Sequence, residues 1–196
     1  LSRRLGVVLF ANGSSKSKAF HKKKYRPGMH GKKMSGKPSE YGKQLMEKQK
    51  ARVMYGISEK QSQMYYEQAK KSPLATGFAY FQFLEQRLDN AVFRSGIATT
   101  RSQARQLVSH GLVKLNGRKV DVPSIQVKEG DKFEIKEQKK NSPLFAEIKK
   151  AKTSSPKWLK ADLSELKGEV IKSPDEEDID SLKIVNPQLI VEYYSK

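Results

Sequence analysis

Arg101 and Arg105 stand one helical turn apart in the segment RSQARQLVSH, with Gln106 and His110 close behind. Side chains four apart share a face of an α-helix, so the two guanidinium groups point one way while Ala104, Leu107 and Val108 turn inward. Planar guanidinium forks match phosphate oxygens in geometry as well as charge. The helix start beside them adds free amides and a positive dipole end, a natural seat for an anion. The chemistry on offer is recognition of a polyanion. Nothing in the chain completes a catalytic constellation: the only histidines, His21, His30 and His110, all lie in basic surroundings without a nucleophile or acidic partner. Cysteine is absent, which excludes disulfides, thiol catalysis and thiolate metal centres.

Several elements must hold those residues in place. After Thr76–Gly77 the apolar residues Phe81, Leu84, Leu88 and Ala91/Val92 recur at helical spacing, which predicts one helix running to a left-handed Gly96. Thr100 with Gln103 has capping-box spacing and opens a helix over about 101–109 that Gly111 stops. Leu112–Leu115 and Arg118–Val122 flank Asn116–Gly117, a two-residue hairpin signal. Strands are expected near Ser124–Val127 and Lys132–Lys136, with Glu129–Gly130–Asp131 as the turn. A helix pair beside a small antiparallel sheet is an α+β module.

Upstream, Ser39 caps a predicted helix to about Tyr55 with Glu40 in its first turn and Gly56 at its end; Ser58 with Gln61 opens another to about Lys71. The aromatic residues Tyr65, Tyr66, Phe78, Tyr80, Phe81 and Phe83 are read as core rather than as stacking platforms. Lys43, Lys48, Lys50, Arg52 and Lys60 fall on polar sides, where each could meet a phosphate or simply water.

Net charge is +18, distributed as +13 over residues 1–60, +6 over 61–140 and −1 over 141–196. That gradient points to nucleic acid along the first two thirds and another contact for the last. Residues 1–38 read as a basic extended arm. Beyond LGVVLF there is little apolar periodicity, and HKKKYRPGMHGKK combines Lys22, Lys23, Lys24 and Arg26 with the turn-makers Gly28 and Gly31 and the planar groups of Tyr25, His21 and His30. A disordered basic tail is the plain alternative; the Pro and Gly punctuation favours a segment that orders on RNA. Two histidines without a neighbouring carboxylate make no metal site. In the last third, Asn141–Lys152 reads as a helix, Trp158 and Leu159 as core plugs, and PDEEDID as an acidic loop facing a basic protein neighbour; it lacks the Gly and closing Glu of a calcium loop. Hydrophobic residues make up 36% of the chain, so cores should be small. No apolar run approaches the ~20 residues of a membrane span, and the expectation is a soluble, intracellular protein. The opening Leu1 points to an encoded start further upstream.

The segment Phe83–Glu137 resembles the S-four RNA-binding domain. YRPGMHG, SEYGKQLMEKQKARVMYGISEKQ, LEQRLDNAVFRSGIATTRSQARQLVSHGLVKLNGR and the closing LIVEYYSK, taken in that order, are similar to the bacterial-type small-subunit ribosomal protein four family across the chain. The resemblance implies a non-enzymatic primary binder of small-subunit rRNA that holds a multi-helix junction of the five-prime domain, nucleates body assembly and abuts ribosomal protein S-five at an interface tied to decoding accuracy. It implies domains over 39–83 (completed by 182–196) and 84–150, with 151–181 as an extension. RNA-facing positions would be Arg3, Arg4, the arm residues already named, Tyr41, Lys48, Lys50 and Arg52. On the second domain they would be Arg87, Asn90, Arg94, Thr100, Arg101, Arg105, Gln106 and His110, with Lys114, Asn116 and Arg118 on the hairpin. Lys32, Lys33 and Lys37 would lie where mRNA enters. Many relatives carry a metal-binding cysteine cluster in the arm; with no cysteine here, no metal or other cofactor is implied, nor any membrane or small-molecule substrate. The setting would be cytoplasmic, in the small subunit of a bacterial or organellar ribosome. An RNA-modifying enzyme built on the same domain, or its remnant, would need a catalytic domain for which little chain remains; a non-ribosomal RNA-recognition module and a duplex-DNA binder are the other readings, the last less suited to a shape-reading helix pair.

Overall fold

The computed structural model describes residues 1–9, 20–23, 25–31, 37–150 and 155–195, without the side chains of residues 147, 149 and 150. The chain divides into two compact units, Leu1–Tyr80 with Asp180–Lys196, and Phe81–Ile179.

The first unit contains α1 (Ser2–Leu5), α2 (Glu40–Tyr55), α3 (Glu59–Lys70), the start of α4 (Thr76–Glu85) and, from the far end of the chain, the helix Pro187–Tyr194. Its boundaries follow the predicted chemistry. The Ser39 hydroxyl accepts from the Gly42 amide, Gly56 ends α2 at φ 65°, and Ser58 and Gln61 form a reciprocal capping box. The C-terminal helix is capped by Asn186 and starts on Pro187. It lies on α2, where Gln44 Nε2 donates to Glu192 at 3.0 Å and the Asn186 amide donates to Glu47 at 3.0 Å. A Cβ on Gly77 would stand 2.9 Å from that of Pro187, so only glycine permits this approach. The interior is aromatic and hydroxyl-rich. Tyr55 pairs with Ser181 at 2.6 Å, Tyr80 with Ser62 at 2.7 Å, and the Tyr194 hydroxyl, its ring stacked on Tyr66, lies 2.8 Å from Ser62 and 3.0 Å from Glu59. Burial pushes the Tyr80 hydroxyl up to about 12 and holds that of Tyr194 well above the ordinary tyrosine value.

In the second unit α4 ends at Glu85 and a new helix, α5 (Leu88–Arg94), follows. The single helix expected here is therefore two. Arg87 turns extended and forms an isolated antiparallel bridge with Gln126, flanked by bonds from the Leu88 amide to Ile125 and from the Val127 amide to Gln86. The strand expected near Ser124–Val127 is reduced to that bridge. Next come α6 (Arg101–Ser109) and a hairpin of β1 (Val113–Leu115) and β2 (Arg118–Val120) turning at Asn116 and Gly117, both at positive φ. With β3 (Lys132–Ile135), β4 (Leu159–Asp162) and β5 (Lys167–Val170) these build a five-stranded antiparallel sheet ordered β2-β1-β3-β5-β4. The segment set apart as an extension thus supplies two strands. Gly168 sits in β5 because a Cβ there would meet the Phe133 ring at 2.4 Å. One apolar cluster joins Leu88, Val92, Leu107, Phe133, Trp158 and Val170, with Phe145 from α7 (Pro143–Lys150). Trp158 is the plug expected. The C-terminal helix of the first unit is labelled α8.

Candidate nucleic-acid interface

The side chains of the second unit's basic face start from α4, α5 and α6. The Thr100 hydroxyl accepts from the Gln103 amide and fixes where α6 begins; Gln103 returns its own oxygen to Thr99 rather than to Thr100. Ala104, Leu107 and Val108 are buried, while Gln106 and His110 are exposed and Arg105 is half-buried on the outer side. Arg94 and Arg101 converge beneath this face on Glu85, whose carboxylate is fully buried. Arg94 donates from Nε and Nη2 at 2.9 and 2.8 Å, and Asn90 Nδ2 donates at 2.6 Å. Arg101 Nε donates to Asn90 Oδ1 at 2.8 Å, and its guanidinium lies 4.7 Å over the Phe93 ring. Arg118 is exposed at the hairpin and Lys114 is half-buried. Asn116 bonds Asp131 and the Lys132 amide, tying the turn to β3.

Not every expected contact lies outward. Arg87 has no exposed surface and forms a two-pronged pair with Asp89 at 3.0 and 2.7 Å, so its guanidinium holds the helix break instead of facing a phosphate. Asn90 is also buried and organises arginines rather than presenting itself.

In the first unit, Lys48 is inward too. Its ammonium donates to Glu59 at 2.9 Å and lies 4.1 Å from the Tyr193 ring centroid. Arg52 pairs with Glu59 at 2.7 Å, and Lys50 with Glu47. Partial burial raises the Glu59 carboxyl, but hydrogen bonds from Lys48 and Tyr194 and the charges of Lys48 and Arg52 outweigh it and leave the group below its usual value. Tyr41 stays exposed, its ring 5.8 Å from that of Tyr193. Arg4, Lys22, Lys23, Arg26, His30 and Lys37 are exposed. Arg3 lies 5.0 Å over the Tyr25 ring and donates to the Tyr25 carbonyl at 3.0 Å. Gly28 is at φ 101°, and any Cβ on Gly31 would strike the Arg26 carbonyl, so RPGMHG needs both glycines for its turn. Lys24, Lys32 and Lys33 lie outside the described residues.

Sequence reasoning passed over Glu85, Asp89 and Glu59, the acids around which the basic residues are arranged. The signal was faint: Glu85 and Asp89 are four apart and alternate with Arg87 and Arg94, a mixed-charge pattern that reads as easily as a solvated face. Among the described residues, no group of three or more His, Asp or Glu could hold a metal ion, and no helix is long and apolar enough to cross a membrane.

Residues 86–133 match the S4 domain, and residues 1–85 match the ribosomal protein S4/S9 N-terminal domain. These two matches, end to end over residues 1–133, define a protein of the ribosomal S4 class. Proteins named small ribosomal subunit protein uS4 align with the whole of this chain and 95% of their own length, at 45% identity in Solidesulfovibrio magneticus, 47% in Caldicellulosiruptor saccharolyticus and 43% in Thermus thermophilus. The chain belongs to the uS4 family.

Proposed function

We propose that this protein is a structural, non-enzymatic constituent of the small ribosomal subunit that binds rRNA directly. It clasps a multi-helix junction of the five-prime domain and helps nucleate assembly of the subunit body. The carrying observation is the end-to-end likeness to proteins named for the small subunit. The charge gradient supports it, because a chain so basic over its first two thirds is suited to phosphate. The RNA contacts fall to the outward residues: Arg4, Lys22, Lys23, Arg26 and His30 on the N-terminal segment, and Arg105, Gln106, His110 and Arg118 on the second unit, with Arg101 at its rim. Lys32, Lys33 and Lys37 border the path by which mRNA enters, and ribosomal protein S-five is a neighbour through which decoding accuracy is set.

Crosslinking in native extract, followed by sequencing of the attached RNA, tests this. Crosslinks concentrated at one small-subunit junction, with binding that weakens steeply as salt rises, are the expected result. Crosslinks scattered over tRNAs and messages would replace it with a mobile recognition module.

A further inference from the structure

We propose that Glu85 is the positioning residue of the RNA-binding face, acting through Asn90 to set how Arg101 is presented. The inference rests on the rRNA-binding reading above and adds a residue that touches no RNA. By charge alone Glu85 is misplaced: a carboxylate beneath a face that meets a polyanion repels it. It is also completely buried, a position a carboxylate keeps only when well bonded. Its bonds explain the placement. Asn90 donates through Nδ2 to the Glu85 carboxylate at 2.6 Å, and to the Glu85 carbonyl at 3.0 Å. A side-chain amide has one donor end and one acceptor end, so anchoring Nδ2 this way leaves Oδ1 directed at Arg101 Nε, 2.8 Å away. The same carboxylate takes the Arg94 fork and stands 3.7 Å from Arg101 Nη2. With the Phe93 ring behind it, Arg101 is held from several sides while 21% of its side chain stays exposed. An arginine fixed before binding loses less rotamer freedom when it meets its phosphate, and its direction, not just its charge, can select one RNA shape.

Charge counting and positioning predict opposite signs. Glu85→Gln adds one unit of net charge, so a charge-counting surface binds every RNA more tightly. A positioned face instead loses junction RNA while keeping or gaining affinity for a plain duplex. Asn90→Leu leaves every charge and the Arg101 side chain in place but removes the link from Glu85 to Arg101 Nε, and it decides the matter alone if Glu85→Gln does not fold. The experiment titrates the full chain and both variants against a five-prime-domain junction transcript and a duplex of equal length. We expect each variant to lose at least about fivefold on the junction with no loss on the duplex, and the double variant to lose no more than the worse single one. A wild-type junction preference that survives both substitutions, or losses that multiply in the double variant, would overturn the role of Glu85. No preference in the wild-type chain would instead overturn the rRNA reading beneath it.

Discussion

The two units bury different chemistry. In the first, tyrosines fill the interior: Tyr55 bonds Ser181, Tyr80 and Tyr194 share Ser62, and Tyr194 also reaches Glu59, with Lys48 drawn in among the rings. In the second, aliphatic and aromatic side chains form one continuous core, and three of the buried charged residues, Glu85, Arg87 and Asp89, lie together where α4 gives way to α5, while Asp178 is buried elsewhere. A basic protein can therefore organise its surplus of cations in two ways. It can lay an ammonium against aromatic rings and a half-exposed carboxylate, or it can fasten guanidinium groups to carboxylates that see no water. The first arrangement ties stability to protons, the second to pair geometry.

The contrast can be broken hardest in the second unit. Asp89→Ala leaves the Arg87 guanidinium buried without its two-pronged acceptor and should cost about 3–5 kcal/mol in urea unfolding. Replacing both partners together, as Arg87→Met with Asp89→Leu, should recover much of that loss; a double variant as unstable as the single one would mean the helix break needs the ions themselves.

Alkali should act on the first unit. The folded state holds the Tyr80 proton more tightly than the unfolded chain, so this contribution is whole below the ordinary value of 10.0 and is lost as pH rises to about 12. The loss should reach about 2–3 kcal/mol, and near-ultraviolet spectra should report tyrosine ionisation together with unfolding. Tyr80→Phe should flatten this alkaline limb.

Acid offers the smallest effect. Glu59 is held below the usual carboxylate value, so its contribution is present above the unfolded value and is lost as pH falls through the lower folded one. Since its side chain is 44% exposed, water screens the pairs and the loss should stay under ~1 kcal/mol, checked by comparing acid unfolding of Glu59→Gln with wild type.

Local signals in the chain carried most of the helix ends. Ser39, Ser58 and Thr100 cap as their spacing requires, and Asn116–Gly117 turns the hairpin, because these effects are settled within a few residues. The interruption at Gln86–Arg87 was not legible. Apolar spacing runs straight through it without Gly or Pro, and the helix opens where the Arg87 backbone bridges Gln126, far along the chain, while its guanidinium pairs with Asp89. The strands β4 and β5 were hidden for a related reason: Gly168 occupies an inward position where a large apolar residue would have revealed the alternation, and it is small because Phe133 fills that space. At the candidate interface the outward residues of α6 were readable from helical period, whereas the inward turn of Arg87 and Lys48 was not, since a basic residue carries no mark of the acid that will claim it.

The docking of α8 on α2 has a consequence for how the protein is made. Gln44 waits for Glu192, and Glu59 and Ser62 wait for Tyr194, so the first unit is completed only by a helix that is translated after the whole of the second. The second unit is one uninterrupted stretch that is already complete by Ile179. Synthesis therefore departs from the usual order in which N-terminal domains settle first: the unit that is begun earlier is the one that is completed later.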